Sequence, residues 1–448
     1  MKMLARSYIT LSRSCRALVV ALLLAAGFEH GLFAAERTIE ELKGDLRSSE
    51  AKVRRKAASE LGKTKSRDAV QPLLAAASDR DVVVREEVVK ALGLLKDQSA
   101  ITMLLTTIKD PAESVREESI IALVNLYADR NSEFVIARLA KKTYRKLNPF
   151  SDQVGNDSTV IESYIQVAPM VIDSIADRLV DSSMVVRIDA AKGLGILRAK
   201  AAVPKMLDSM KTGDANLKIA VLRSLYKIRD TSVDERLLPY LNDSDKDVRD
   251  ETVVTLGLLR SKRALPELQQ IYDQNPDTKL RLKAYQSIAL IGDASSLELF
   301  RRSLKDVDKA YRQYGAEGLA RVAEASLVEE VSKAYILEKD LGAQLAESFA
   351  LYRLGRKEFM EKLILGLSER MFHEQVTAYL LEMGAVVVPE LVGHLSHENA
   401  SVRERLCYVL GMIGDSSAIE SLKPMLKDTS NSVASEAAVA IRRLGAGS

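Results

Sequence analysis

The chain has 448 residues, 28% of them charged and 47% apolar, with 5% aromatic residues and no Trp. Its 65 basic and 62 acidic side chains leave a net charge of +3, which excludes the basic excess of an electrostatic nucleic-acid binder. Two cysteines, Cys15 and Cys407, make no disulfide framework, so stability must come from buried apolar helices, which a chain of this length supplies.

Residues 1–35 are a different kind of sequence. Lys2, Arg6, Arg13 and Arg16 precede an apolar run from Ala17 to Phe28, and Leu32, Phe33, Ala34 and Ala35 stand ahead of Glu36. Basic, then apolar, then small residues predict a secretory signal peptide. The run is short for a membrane span and is closed by Glu29 and His30. Retention of the leader as an anchor is the alternative, because Phe33 or Leu32 suits a cleavage site poorly. Phe28 stands where a lipidated Cys would be needed, so no lipid anchor is expected. Without the leader the chain holds 61 basic and 61 acidic side chains and Cys407 alone. The expectation is an exported, formally neutral protein of the bacterial periplasm, with no integral membrane span after cleavage.

From residue 36 onward a two-residue beat returns every 29 to 32 residues over most of the chain: Val53-Arg54, Val84-Arg85, Val115-Arg116, Val186-Arg187, Leu217-Lys218, Val248-Arg249, Leu280-Arg281, Tyr311-Arg312 and Val402-Arg403. A fixed period of this size predicts stacked supersecondary units, each unable to bury its apolar face alone. Asp79, Asp110, Asp181, Asp243 and Asp306 stand six residues before Arg85, Arg116, Arg187, Arg249 and Arg312. An Asp there can accept from free backbone N–H groups at a helix start or pair with the Arg in the following turn. Leu61, Leu92, Leu123, Leu194, Leu256 and Leu319 stand seven residues after their cations. Val84, Val88, Ala91, Leu92 and Leu95 make a helical stripe, and Ala69, Leu73, Leu74 and Ala77 a preceding one, so each unit is two antiparallel helices.

The beat divides the chain into repeats one to three at 36–130, a disrupted repeat or insertion at 131–165, further repeats at 166–325, degenerate repeats at 326–384, and C-terminal repeats with a cap at 385–448. The interval from Arg116 to Arg187 is 71 residues, and the extra length holds Asn148-Pro149-Phe150. Counting onward from Arg312 puts Gln344 and His373 in the cation column.

Asp-x5-Arg followed by A-L-G, as in Asp79 to Arg85 and Ala91-Leu92-Gly93, resembles the HEAT repeat, in the bacterial type also found in bilin lyases. The resemblance implies an all-α, right-handed superhelical α-solenoid of about 12 to 13 HEAT-like helical hairpins. The aromatic-rich tetratricopeptide pattern is not matched. Such repeats serve as scaffolds in unrelated proteins, so the resemblance names no reaction.

Positions one, five and eight after the cation are expected to share the concave face of the second helix. The first of these is Arg55, Glu86 and Glu117 in the early units and then Ile188, Ile219, Leu282 and Leu345, joined by Tyr226, Phe349 and Tyr352 at the others. These seven residues are the predicted partner-binding strip. Packing between bent neighbouring helices is the competing explanation. Pro149 and Phe150 in the insertion are the second candidate.

Deoxyhypusine hydroxylase is built of similar units and binds iron through paired His-Glu motifs. Of the four pairs that this resemblance requires, the chain has His373-Glu374 and His397-Glu398, and each His already occupies a repeat column. No catalytic residue, metal ligand or cofactor is assigned. The expected function is an exported scaffold for a protein or extended peptide, not for nucleic acid. A regulatory or accessory subunit of an envelope enzyme or motility complex is one alternative, and an unrecognised enzyme with a His-Glu metal site of the hydroxylase type is the other.

Overall fold

The computed structural model describes residues 37–128, 160–162 and 164–446; the predicted signal peptide and Pro149 and Phe150 lie outside them. The described residues form twelve helical hairpins and no strand. Their outer helices are α1 (Ile39–Asp45), α3 (Val70–Ala76), α5 (Ile101–Thr107), α7 (Pro169–Ala176), α9 (Val203–Thr212), α11 (Asp234–Leu237), α13 (Leu265–Gln274), α15 (Leu297–Ser303), α17 (Val328–Leu337), α19 (Phe359–Gly366), α21 (Val388–Gly393) and α23 (Ile419–Leu422). The inner helices are α2 (Ala51–Lys63), α4 (Val82–Leu95), α6 (Glu113–Asn125), α8 (Met184–Ile196), α10 (Ala215–Ile228), α12 (Lys246–Leu258), α14 (Thr278–Ile291), α16 (Lys309–Val322), α18 (Leu341–Arg353), α20 (His373–Met383), α22 (Ala400–Ile413) and α24 (Asn431–Ala446). Buried Val, Leu, Ile and Ala from both layers join into one continuous core along the stack.

Most inner helices start at a side-chain cap: Asp81, Ser183, Asp214, Asp245, Asp277, Asp308, Asp340 and Asn399 accept from free N–H groups of the first turn. The periodic Asp read from the sequence stands two residues earlier and does a different job. The carboxylates of Asp79, Asp110, Asp181 and Asp243 accept from the backbone N–H of Asp81, Ala112, Ser183 and Asp245. Their other partner is the cation of the preceding unit, not the Arg of their own. Arg54 donates through Nε and Nη2 to Asp79 at 2.7 and 2.8 Å, Arg85 to Asp110 at 2.8 and 2.9 Å, and Arg116 to Asp181 at 2.9 and 2.7 Å. Lys218 reaches Asp243 at 2.7 Å, Arg312 reaches Glu338 and Arg403 reaches Asp428. Each Arg turns its remaining Nη1 back onto its own loop, as in Arg85 to the Asp79 carbonyl and Arg116 to the Asp110 carbonyl. One guanidinium thus ties two units together, in a largely buried setting.

A second device acts beside the ladder. Position eight is glycine in five units, and a Cβ there would meet the next inner helix: on Gly62 it would lie 2.8 Å from the Ala91 Cα, on Gly93 2.8 Å from the Ala122 Cα, and on Gly411 2.8 Å from the Ala440 Cα. Gly195 and Gly257 face Ser224 and Ser287 in the same way. Glycine opposite a small residue lets successive inner helices close to backbone contact.

The Arg116–Asp181 pair decides the insertion. It has the geometry of Arg85–Asp110, yet it spans 65 residues where the others span 25, and α6 packs directly on α8. Units three and four are therefore direct neighbours, and nearly all of the expected disrupted repeat or insertion at 131–165 lies outside the described residues.

Units nine and ten depart from the pattern. Gln344 and His373 replace the cation, and Tyr352 and Tyr379 stand in columns that hold glycine or small residues in several other units. Accordingly α20 packs on α18 and α22 less extensively than other inner helices pack on their neighbours. Glu347 in α18 occupies a column that holds Ala57, Val88, Ala190 and Val221 in other units; it is 0% exposed and neither carboxylate oxygen has a partner. Burial, reinforced by Glu338 and opposed by Arg312, pushes its carboxyl up to about 8.

Two predictions follow from opposite ends of the pH scale. Burial works against ionisation of Asp181, but the Arg116 bond, the Ser183 N–H and the Arg116 charge hold its carboxyl below the usual range; Asp428, bonded to Arg403, lies at about 2. Their stabilisation is complete above the unfolded carboxylate pKa near 4 and is lost as pH falls through the folded values. Asp181→Ala is expected to lower the unfolding free energy by about 1–3 kcal/mol at pH 7, while Asp306→Ala, whose carboxylate holds no ladder bond, costs less than about 1 kcal/mol; equal losses in urea titrations would count against the ladder. Glu347 has the reverse sign: its folded value is raised, so stability falls as pH rises from about 4.5 to about 8. Glu347→Gln is expected to leave stability at pH 5 nearly unchanged and to raise it at pH 8, measured as the difference between the two midpoints.

Candidate functional site

The predicted strip divides in two. Ile188 in α8, Ile219 in α10 and Leu282 in α14 are half-buried at the same position of their helices. The intervening Asp250 in α12 is held by Lys283 at 2.8 Å and Lys246 at 2.9 Å. Units four to seven therefore present aliphatic residues edged by ion pairs, Arg223 to Glu251 at 2.7 Å among them. Tyr226 is half-buried and stands at position eight, the column whose glycines face the neighbouring inner helix.

The other half is covered. Leu345 and Phe349 are 0% exposed and Tyr352 is 4% exposed, which corrects their assignment to an open strip. The Phe349 ring stacks on Tyr379 at 4.3 Å and 4°. Leu345 and Val376 both close on Gly366. Tyr352 donates to Glu390 at 2.7 Å and lies under the Lys357 ammonium. Bulk at these positions fills space that α20 occupies.

A buried polar network accompanies that cover, and periodicity gave no sign of it. Arg321 in α16 donates to both oxygens of Glu382 in α20, to Glu317 and to the Ala289 carbonyl of α14. Arg260, past the end of α12, reaches Glu382 at 3.0 Å. Tyr379 donates to Glu317 at 2.7 Å, and Gln375 bridges Tyr379 and the Gly342 carbonyl. Burial opposes ionisation of Glu382, but the two guanidinium groups hold its carboxyl below the usual range, while burial beside Glu317 drives the Tyr379 hydroxyl well above its own. The one signal in the sequence was the pair of Tyr residues where small ones belong.

Among the described residues, no three His, Cys, Asp or Glu side chains converge to hold a metal ion. The His397 Nδ1 accepts from the Asn399 N–H, and His394 stands 3.9 Å from Glu361. The His373 Nδ1 is buried without a partner, and burial and Arg405 lower its basicity. The two His-Glu pairs thus do not meet, and these residues do not fit a shared iron. Residues His373–Gly393 pass the length and composition test for a membrane span, with a hydropathy of 1.5; Gly384, at φ +66°, divides that run into α20 and α21.

The model of the HEAT repeats family matches residues 38–143, 235–320 and 376–443, more than half of the chain. Deoxyhypusine hydroxylase of Arabidopsis thaliana is 22% identical over 215 residues, 47% of this chain and 68% of that protein. Deoxyhypusine hydroxylase-B of Oryza sativa subsp. japonica is 26% identical over 219 residues, 47% of this chain and 70% of its own. Among solved structures, the Escherichia coli protein YibA aligns with 71% of this chain and 99% of its own at 15% identity and a TM-score of 0.42. An engineered protein aligns with 91% and 98% at 18% identity and 0.36. The complex of CpcE and CpcF of phycocyanin lyase from Nostoc aligns with 71% and 95% at 17% and 0.26. With its twelve stacked hairpins and the matched segments spread from the first unit to the last, the chain belongs to the HEAT-repeat family.

Proposed function

We propose that the protein is an exported scaffold that presents a concave helical surface to a protein or extended peptide in the cell envelope. The observation that carries this reading is the recurrence of half-buried Ile188, Ile219 and Leu282 at one position of the inner helices in units four, five and seven. Aliphatic residues repeated in register, edged by charge, suit an extended partner that crosses several units. The basic and apolar leader supports the location. As an accessory subunit of an envelope complex, the protein would use the same surface.

The hydroxylase relatives favour a second reading, an iron enzyme using His373-Glu374 and His397-Glu398. The separate settings of those two pairs weigh against it.

In-cell cross-linking of the tagged chain, followed by mass spectrometry of the envelope fraction, tests both. Ile219→Asp with Leu282→Asp is expected to reduce capture of the linked partner at least about tenfold, with the helical circular dichroism retained. Undiminished capture would sink the strip. His373→Ala with His397→Ala is expected to leave capture unchanged; iron that copurifies with the parent chain and is lost in that variant would favour the enzyme.

A further inference from the structure

We propose that α20 is a detachable strap, which lifts off the concave side of α16 and α18 while units one to nine stay stacked. Three observations place the weak point there. The ladder is interrupted on both sides of this helix, at Gln344 and His373, and here, unlike at the other interruptions, the packing on the neighbouring inner helices is also the least extensive. The glycine that closes neighbouring inner helices elsewhere is absent on both sides, position eight being Tyr352 in α18 and Leu381 in α20. Gly384, at φ +66° and ψ −146°, supplies a backbone conformation reserved for glycine immediately beyond its last residue.

The strap buries Val376, Tyr379, Leu380 and Met383, and a directional network fixes how it is seated. Glu382 is gripped by Arg321 and Arg260, Tyr379 donates to Glu317 and stacks on Phe349, and Gln375 donates to the Gly342 carbonyl. The seat reads an aromatic hydroxyl and, three residues on, a carboxylate on one helix face. Lifting α20 bares Phe349, Arg321 and Arg260 together. The opened seat therefore fits a helix that carries a Tyr and an acidic residue at that spacing. Because α20 packs less on α18 and α22 than other inner helices pack on their neighbours, the strap separates before the ladder-bonded units.

The test uses the full chain with spin labels at Lys262→Cys and Glu374→Cys, the leader Cys15→Ser and Cys407 left in place, since its thiol is buried. The distance between labels, measured by pulsed electron resonance along a urea series, is expected to lengthen before helical circular dichroism falls. Glu382→Gln is expected to raise the population of the long distance about tenfold or more at low urea, with the dichroism transition in place. Coincident transitions in the parent chain would overturn the strap, as would a Glu382→Gln variant that shifts both transitions together. The parent comparison decides the question even if the variant folds poorly.

Discussion

The Arg–Asp pair between successive units is the contact on which the architecture rests. A guanidinium has donors in a fixed plane, and here two of them take the carboxylate of the next unit while a third takes the loop carbonyl of its own. Each Asp in turn accepts from the N–H that enters the following cap. Helix starts, loop shape and the angle between units are therefore set by one bonded group. Lys218 keeps the charge but makes a single contact with Asp243, a looser version of the same joint. Isolated hairpins of this length could not bury their apolar faces, and a joint of this kind recurs at six of the eleven contacts between successive described units.

Glycine at position eight makes the other half of the constraint. It brings helix backbones together where the ladder fixes their direction, and either device tolerates local loss of the other. Beyond Arg187 no carboxylate waits, yet Gly195 still closes on Ser224. Around α20 both are missing. There the chain substitutes rings and a buried ion-pair network, and it buries an acid, Glu347, at a core position. Polar groups without partners in a dry setting are costly, which makes this the least settled part of the stack.

The period was plain in the sequence because every unit solves the same packing problem with the same residues. Partner choice was not. An Asp six residues before one Arg is also 25 after the previous one, and a periodic pattern contains both intervals equally; only the way the loops turn selects the second. Ile188, Ile219 and Leu282 are found half-buried in one register, but Phe349 and Tyr352 carry the same apolar signal while facing α20 and Glu390. Bulk in a repeat column marks either a surface or a filled space, and it is the neighbouring unit, irregular here, that decides. The Arg321–Glu382 network joins residues 61 positions apart, beyond the reach of any single-unit pattern.

Arg116 finds Asp181 as readily as Arg85 finds Asp110, although forty more residues separate the pair. Loop closure grows only as the logarithm of length, about 0.6 kcal/mol for each doubling, so the longer connection adds a cost no larger than what the joint contributes. The boundary between units three and four is thus a docking port in the chain itself, where sequence can be gained, lost or exchanged while the flanking layers keep their register. Evolution could diversify one point of this array without renegotiating the rest, and an engineer could graft a foreign module there on the same terms.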